Sequence, residues 1–297
     1  MLKFFNFLRM ELNNLIIKLF FRRPARNKKY YLSLCTIFKN EAKYLKEWIE
    51  YHLIVGYEHF YVYNNFSEDN YEEVLAPYIE KGLVTLIDWP IKSGQMQAYN
   101  DCVEKFKDDN YWICFQDADE FAVPIKHNDV KEYLHNFEKF PCVLEFYRNF
   151  TSGGIVEETE GLVIEKYTSC TEFFSPSMFL NTHYVNLIKV FRLPHFARFK
   201  FFNKICPNHA AFFAGIVKTI KNPDFQFNHY YCKSFEYFLN KKIPNGDACN
   251  SLYGQSVERF YKMDHQGIYK EFTIFKYLTE LKNFDLEQYC KEKGLNK

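Results

Sequence analysis

Two aspartates spaced two residues apart follow an apolar stretch of the chain. Asp117 and Asp119 come directly after Trp112-Ile113-Cys114-Phe115-Gln116, which has the composition of a buried strand. Residues two apart on an extended backbone project to the same side, so both carboxylates of this Asp-x-Asp motif can face one ligand. Carboxylate oxygens suit Mn²⁺ or Mg²⁺, and such an ion offsets charge on a diphosphate leaving group. The pair therefore predicts a site for Mn²⁺ or Mg²⁺.

A histidine and several basic residues farther along the chain are candidates for the same site. His229 follows the alternating run Phe225-Gln226-Phe227-Asn228, and a neutral imidazole there can supply a third metal ligand. We therefore predict Asp117, Asp119 and His229 as the metal ligands. The residues that could contact diphosphate oxygens are Lys189, His209, Lys233, Lys241 and Lys242.

The acidic pair belongs to a repeating pattern of apolar runs and amphipathic stretches. The pattern predicts an α/β domain over residues 29–250, with a mainly parallel central sheet flanked by helices. Residues 251–297 predict further helices that pack around the same sheet. The apolar runs predict strands at 31–38, 59–63, 83–87 and 111–116.

Polar clusters follow three of these predicted strands at the point where each strand ends. Right-handed strand–helix–strand connections bring the carboxyl ends of parallel strands to one edge of the sheet, where ligands bind. We therefore expect the three clusters to face one crevice. They are Lys39-Asn40-Glu41, Asn64-Asn65-Phe66-Ser67-Glu68-Asp69 and Asp117-Ala118-Asp119.

Charge and cysteine usage exclude several classes of protein. The net charge of +1 provides no overall field for nucleic acid, so we expect no nucleic-acid partner. The nine cysteines are scattered without a Cys-x-x-Cys pair, so neither a zinc site nor a disulfide framework is predicted. A reducing cytoplasm fits this usage best.

Residues 1–28 differ from the rest of the chain because they are rich in Lys and Arg and contain a single acidic residue, Glu11. Polar residues interrupt their apolar stripe too often for a spanning helix, but a basic amphipathic helix is typical of binding to an anionic membrane surface. We expect a cytoplasmic protein held peripherally at the inner face of the cell membrane. The alternative is a helix docked on the protein's own core. The stripe comprises Leu2, Phe5, Leu8, Leu12, Leu15, Ile16 and Leu19.

Five stretches together resemble glycosyltransferases of the GT-A fold, most closely glycosyltransferase family 92 and its bacterial family 2-like relatives. The resemblance implies transfer of a sugar from a nucleotide-diphosphate donor, such as a UDP-sugar, to a glycan or glycolipid acceptor in surface polysaccharide synthesis. It also implies an inverting mechanism. The stretches are Lys39-Asn40-Glu41 with Glu47-Trp48 and Tyr51-His52, Tyr63-Asn64-Asn65 with Ser67 and Asp69, Gln95 through Cys102, Asp117 through Phe121, and Asn228-His229-Tyr230 with Lys233-Ser234.

The resemblance further implies roles for individual residues. Gln97 and Asn100 would approach the ribose or sugar of the donor. Asp117 and Asp119 would hold the metal and the diphosphate, and His229 would complete the site. The residues expected to bind the nucleoside are Asn40, Glu41, Asn64, Asn65 and Asp69.

An inverting enzyme of this kind needs a carboxylate as general base for the acceptor hydroxyl. We favour Asp247 because it follows the His229 segment. The other candidates are Glu145, Glu158 and Glu160.

Two other classes of function remain open at this stage. A sugar-nucleotide nucleotidyltransferase also uses acidic metal ligands, but it would show a glycine-rich basic loop where this chain has Lys39-Asn40-Glu41. A non-catalytic, membrane-associated binding protein would leave the three polar clusters at the strand ends unexplained.

Overall fold

The computed structural model describes Leu12 and residues 15–17, 19–193, 196–199, 223–246 and 255–295, apart from the side chains of 174–176, 186–193 and 196–199. Helices and strands alternate in its first half, as the sequence predicts. The strands are β1 (Tyr30–Phe38), β2 (His59–Asn64), β3 (Val84–Asp88), β4 (Asn110–Phe115), β5 (Glu120–Pro124), β6 (Cys142–Phe150), β7 (Ser169–Asn181), β8 (Ile188–Leu193), β9 (Phe196–Phe199), β10 (Phe225–His229) and β11 (Tyr269–Lys270).

The helices lie between and after these strands. Short 3₁₀ turns cover His135–Phe137, Thr182–Leu187 and Thr273–Tyr277, and a π-helical stretch covers Phe238–Lys242. The α-helices are α1 (Ala42–Ile54), α2 (Tyr71–Glu80), α3 (Gln95–Phe106), α4 (Val130–Leu134), α5 (Val163–Lys166), α6 (Phe235–Tyr237), α7 (Ile243–Asn245), α8 (Val257–Asp264), α9 (Leu278–Lys282) and α10 (Leu286–Glu292).

One mixed sheet organises the described chain, in the order β3-β2-β1-β4-β7-β6-β10-β5, with β11 beside β7. The first four strands are parallel, as the strand–helix alternation predicts. Strand β7 runs antiparallel to β4 and β6, and β5 runs antiparallel to β10. The predicted α/β class, with a mixed central sheet flanked by helices, is therefore confirmed.

The parallel half of the sheet is covered on both faces. Leu32 and Leu34 of β1 pack in one core with α1, whereas Cys35 and Ile37 pack in a second core with α3. Burial on both faces explains why these strands are continuous apolar runs rather than alternating ones. The two helical layers leave the carboxyl edge of the sheet open.

The C-terminal helices pack on the first of these cores. Ile274, Tyr277, Leu281 and Cys290 are buried within it. The ring of Tyr277 meets that of Tyr51 on α1 edge-on at 5.7 Å between centroids. The residues after 255 thus share a hydrophobic core with the sheet.

The described part of the N-terminal segment has both buried and exposed apolar side chains. Ile17 is fully buried in the second core beside Phe21. Leu15, Leu19 and Phe20 are 51%, 66% and 75% exposed. Within the part of the chain that the structure describes, no helix has the length and apolarity needed to cross a membrane.

Candidate active site

A cleft of about 600 Å³ opens at the carboxyl ends of β1, β2 and β4. Both the strand-end loops and the segment after β10 contribute to it. Its polar lining comprises Lys39, Glu41, Asn65, Lys92, Ser93, Gln95, Asp117, Asp119, His229, Tyr231, Tyr237, Lys242, Asn245, Gln255 and Arg259. The predicted gathering of polar clusters in one crevice is thus observed for all three loops.

The three predicted metal ligands lie together in this cleft. One ligand atom each from Asp117, Asp119 and His229 falls within 4.8 Å of the others. The pairing of β5 with β10 creates this arrangement, because it aligns His229 with Glu120, directly after the acidic pair. The amide of Tyr230 also donates to the Asp119 carbonyl oxygen at 2.8 Å. Two carboxylates and an imidazole form a donor set that fits Mn²⁺ or Mg²⁺.

Asp119 is buried between two basic side chains. Its Oδ1 lies 3.2 Å from His229 Nε2, and its Oδ2 accepts a hydrogen bond from Lys242 Nζ at 2.6 Å. Burial alone would raise the pKa of Asp119, but the Lys242 and His229 charges outweigh it and hold that pKa well below its usual range. Burial lowers the pKa of His229, but the Asp119 carboxylate reverses this and raises it. The site therefore contains a carboxylate that stays ionised.

Asp117 is oriented by Gln95, the first residue of α3. Gln95 Nε2 donates to Asp117 Oδ1 at 2.8 Å. Gln97 and Asn100, the residues predicted to approach the donor, are exposed on the same helix and are not part of the cleft lining, and the Asn100 amide donates to the Met96 carbonyl oxygen. Helix geometry turns residue 97 about 200° away from residue 95. The position of Gln95 in the first turn of a helix at the sheet edge is the sequence signal that favours it.

The two predicted nucleoside-binding residues of the loop after β1 differ in position, because Glu41 lines the cleft and Asn40 does not. Asn40 adopts a left-handed backbone (φ 54°), and its Oδ1 accepts from the Glu68 amide at 2.7 Å. Glu41 reaches the cleft, where it accepts from Tyr237 OH at 2.7 Å. Asn40 therefore joins the first two strand-end loops, and Glu41 presents the carboxylate.

Two of the three predicted nucleoside-binding residues in the loop after β2 hold loops together instead. Asn64 accepts from the Ser67 amide and donates to Asp88, and Asp69 accepts from the amide of Ala42 at the start of α1. Neither Asn64 nor Asp69 lines the cleft, because their polar groups are bonded to neighbouring residues of the protein. Asn65 does line it.

Lys233 lies behind the cleft and not in it, contrary to the prediction of a donor contact. Its side chain is 1% exposed and lies 3.3 Å from Glu41. The ammonium also lies 3.8 Å and 4.2 Å from the ring centroids of Tyr44 and Tyr237. Burial lowers the pKa of Lys233. The lysine that reaches the metal ligands is Lys242.

Three predicted residues cannot be placed. Asp247 and His209 lie outside the described residues, and the side chain of Lys189 on β8 does as well. Gly246, which immediately precedes Asp247, lines the cleft.

The other candidates for the general base lie elsewhere. Glu145 is buried and accepts from Tyr133 OH. Glu158 accepts from Tyr44 OH and pairs with Lys43 at 3.0 Å, and Glu160 is exposed. None of these three carboxylates lines the cleft.

Four further residues in or beneath the site were not predicted. Tyr231 OH accepts from Arg259 Nε at 2.6 Å and donates to Gln255 at 2.7 Å, at the end of the cleft beyond Lys242. Glu120 is fully buried beneath His229, and burial raises its pKa to about 8. Tyr231 could have been predicted from the sequence, because it lies two residues after His229. Arg259 could not, because it lies on a helix far along the chain.

Comparison with known proteins gives one family. A sequence model described as glycosyltransferase family 92 matches residues 28–247. A family 92 protein of Oryza sativa subsp. japonica is 31% identical over 126 residues, which are 42% of this chain and 22% of that protein. A galactan beta-1,4-galactosyltransferase of Arabidopsis thaliana is 31% identical over 136 residues, 40% and 27% of the two chains.

A beta-1,4-galactosyltransferase of Caenorhabditis elegans is 30% identical over 110 residues, or 32% of this chain and 26% of that protein. The matches thus span roughly a quarter of the length of these relatives. Among solved structures, residues 1–349 of S. aureus TarS in complex with UDP align with a TM-score of 0.37 at 14% identity, over 52% of this chain and 48% of that one.

The family model covers most of the sheet and the whole acidic cluster, so it matches the same segments that carry the resemblance in the sequence. The mixed central sheet flanked by helices that the resemblance implies is also observed. The chain belongs to glycosyltransferase family 92.

Proposed function

We propose that this glycosyltransferase is metal-dependent and inverting, and that it transfers a sugar from a UDP-sugar to a glycan or glycolipid acceptor in surface polysaccharide synthesis. The observation that carries the proposal is the convergence of Asp117, Asp119 and His229 in an open cleft at the carboxyl edge of the sheet. A divalent cation held there would neutralise the charge on the departing nucleotide.

The chain's own cations complement this arrangement. Lys242 and Arg259 both line the cleft, and Lys242 already lies beside Asp119. Their positive charges favour a ligand that carries a diphosphate, because charge-assisted hydrogen bonds to phosphate oxygens are among the strongest in proteins. We assign the diphosphate to this end of the cleft.

The chemical step requires an acid–base residue on the acceptor side. The acceptor hydroxyl oxygen forms a bond to the anomeric carbon, the bond from that carbon to the donor phosphate oxygen breaks, and the hydroxyl proton passes to a carboxylate. Asp247 remains our proposed base, because the preceding residue lines the cleft. Replacing Asp247 by Asn should lower kcat by about 100-fold or more with little effect on donor binding.

UDP-galactose is the first donor to test. Two relatives are named as beta-1,4-galactosyltransferases. The sugar in UDP-galactose is α-linked, so a β-linked product requires inversion. Both the donor and the stereochemistry of our proposal follow from this reasoning.

The decisive experiment compares the protein with a variant of one metal ligand. With Mn²⁺ present, the purified protein should slowly hydrolyse one nucleotide sugar in a donor screen, and Asp119→Ala should lose about 100-fold or more of this activity. Asp108→Ala, which removes an aspartate that is 89% exposed outside the cleft, is the matched control. Unchanged turnover in Asp119→Ala, with folding verified by circular dichroism, would reject the assigned metal site.

We also propose that the chain is cytoplasmic and that its N-terminal segment binds the inner face of the cell membrane. The exposed Leu15, Leu19 and Phe20 support this, as do the basic residues among them. Deleting residues 1–28 should abolish cosedimentation with anionic vesicles and preserve donor hydrolysis. Continued cosedimentation of the deletion variant would refute the membrane role.

A further inference from the structure

Three polar residues form a row across adjacent strands beneath the cleft. His229 on β10 is the direct partner of Glu120 on β5 and of Asn149 on β6. Directly opposed residues on neighbouring strands project from the same face of a sheet. Glu120, His229 and Asn149 are 0%, 7% and 4% exposed. Polar groups buried this deeply are normally hydrogen-bonded.

Each member of the row has one polar atom that lacks a hydrogen-bond partner among the described residues. The atoms are Glu120 Oε1, His229 Nδ1 and Asn149 Oδ1. The first two face each other at 3.9 Å. A displacement of about 1 Å would bring them to hydrogen-bond distance, and it would give both buried groups the partner that they lack.

The Glu120 carboxylate is oriented toward the imidazole by its other contacts. Its Oε2 accepts from Ser177 Oγ at 2.8 Å, which leaves Oε1 to face His229. The main-chain carbonyl oxygen of Glu120 accepts from the Trp48 indole at 2.9 Å and so fixes the backbone at this position. The imidazole is constrained in turn, because the Tyr147 ring meets it edge-on at 5.0 Å between centroids.

The two nitrogens of His229 therefore face different surroundings. Nε2 points to Asp119 Oδ1 at 3.2 Å in the cleft, whereas Nδ1 points to Glu120 in the interior. A neutral imidazole binds a cation only through the nitrogen that carries no proton. Beside the Asp119 carboxylate the metal-free imidazole is protonated at Nε2 as well, and a cation that binds there must displace that proton. An acceptor at Nδ1 would keep the remaining proton at Nδ1, so that the lone pair of Nε2 is left for the cation.

We propose that Glu120 is a positioning residue for the cation site. Its Oε1 accepts the Nδ1–H of His229, and this bond fixes the tautomer and the ring orientation that present Nε2 beside Asp117 and Asp119. The inference rests on the proposed function, because it assumes that these three residues hold a cation. The inference adds Glu120 to the three proposed cation ligands as a residue that acts through His229 and touches neither the donor nor the cation.

The first experiment examines the imidazole in metal-free protein. In ¹⁵N spectra of histidine-labelled protein recorded above pH 8, where Glu120 is ionised, with the signal assigned through His229→Gln, we expect His229 Nδ1 to be protonated and hydrogen-bonded. In Glu120→Gln this Nδ1 signal should lose its hydrogen-bonded shift. Glu145→Gln, which removes the charge of another buried carboxylate, and Asn149→Ala, which removes the competing acceptor, should leave it in place.

The second experiment measures binding of Mn²⁺ alone by electron paramagnetic resonance. Glu120→Gln should weaken binding by about 10- to 100-fold, and Glu145→Gln should not. If Glu120 acts through the imidazole, the double variant Glu120→Gln/His229→Gln should bind no more weakly than His229→Gln. Thermal unfolding and amide spectra of each variant identify any that fail to fold.

The outcomes separate this inference from the proposed function. If His229→Gln loses Mn²⁺ binding but Glu120→Gln changes neither binding nor the ¹⁵N signal, the role of Glu120 is refuted and the metal site stands. A signal that responds to Asn149→Ala instead assigns the acceptor to Asn149 and likewise refutes the proposal. If the unaltered protein binds no Mn²⁺, the metal site itself fails, and with it the purpose assigned to Glu120.

Discussion

At the scale of single residues, the site is defined by a contrast between its carboxylates. Asp119 is buried, with a cationic partner at each oxygen, so it stays ionised. Glu120, the next residue, is fully buried, and burial raises its pKa to about 8. Asp119 lies in the turn before β5 and faces the cleft, whereas Glu120 begins the strand and lies in the interior. The surroundings of the two carboxyl groups, rather than their residue types, therefore make their pKa values differ.

The Gln95 amide leads to a prediction at this scale. Replacing Gln95 by Met removes the hydrogen bond to Asp117 at similar volume, so the carboxylate loses its orientation. We expect kcat/KM for donor hydrolysis to fall by about tenfold. The matched control is Gln97→Met on the same helix, which should have no effect because that side chain is exposed. Equal losses in both variants would contradict the assignment.

At the scale of elements, the segment after β10 closes the cleft from one side. Lys233, Tyr237 and Lys242 all come from it, and its π-helical stretch ends at Lys242. Stretches of π-helix are frequent at functional sites because they re-aim side chains. Here the segment places Lys242 at Asp119 and is held to the loop before α1 by the pair of Lys233 with Glu41.

This anchor leads to a stability prediction. Lys233→Met should lower the free energy of unfolding by about 3–5 kcal/mol, since it leaves a mostly buried Glu41 carboxylate without its cation and removes cation–π contacts. Lys43→Met should cost less than about 1 kcal/mol, because that lysine is 41% exposed in its pair with Glu158. Urea denaturation measures both. Similar losses of unfolding free energy in the two variants would show that burial does not determine how much each ion pair stabilises the protein.

The contact between α1 and β5 predicts a dependence on pH. His52 is fully buried, with Nδ1 2.7 Å from the Trp48 carbonyl oxygen and Nε2 accepting from the Ala122 amide, and burial lowers its pKa to about 3. The unfolded chain, with a pKa near 6.5, binds the proton more readily. Stability is therefore complete above about pH 6.5 and falls as the pH drops toward 3, by up to about 1.4 kcal/mol per unit.

His52→Gln should reduce this slope between pH 6.5 and 4.5, whatever its effect on stability at pH 8. His265→Gln, at an exposed position, should leave the slope as it is in the unaltered protein. Chemical denaturation at a series of pH values provides the measurement. An unchanged slope in His52→Gln would show that this histidine is not the titrating group.

At the scale of the whole molecule, the C-terminal helices complete the core. Ile274, Tyr277 and Leu281 pack against the same cluster as α1 and the sheet. A chain ended after Phe272 should therefore expose apolar surface, lose near-ultraviolet circular dichroism and aggregate. A chain ended after Gly294, beyond α10, should unfold in the same cooperative transition as the full chain. Retention of a folded core by the shorter variant would indicate that these helices form a separate unit.

Part of this protein was predictable because it depends on local pattern. Apolar runs of strand length separated by amphipathic stretches predict β1 to β4 and their helices. The right-handed connection rule then places the loops after β1, β2 and β4 at one edge. Asp117 and Asp119 do lie together, but the extended backbone assumed for them is not observed, because residues 118 and 119 form a turn in which the Glu120 amide donates to the Asp117 carbonyl oxygen at 3.0 Å.

The direction in which side chains of those loops point depended on the fold. Asn64 and Asp69 lie at the expected end of β2, yet their polar groups bond to neighbouring residues, and the helical turn directs Gln95 rather than Gln97 to the acidic pair. The pairings of the antiparallel strands β5, β7 and β10 also have no local signature, because the paired strands are far apart along the chain.

The sequence by itself determined the fold class, the edge of the sheet that carries the site and the types of its ligands, since periodicity and composition encode these properties. Only the tertiary structure decided which residues meet there. Lys242, Arg259 and Glu120 reach the site through strand pairing and helix packing over long separations, and burial then sets their charges. Both effects depend on the packed chain, and no short stretch of sequence contains them.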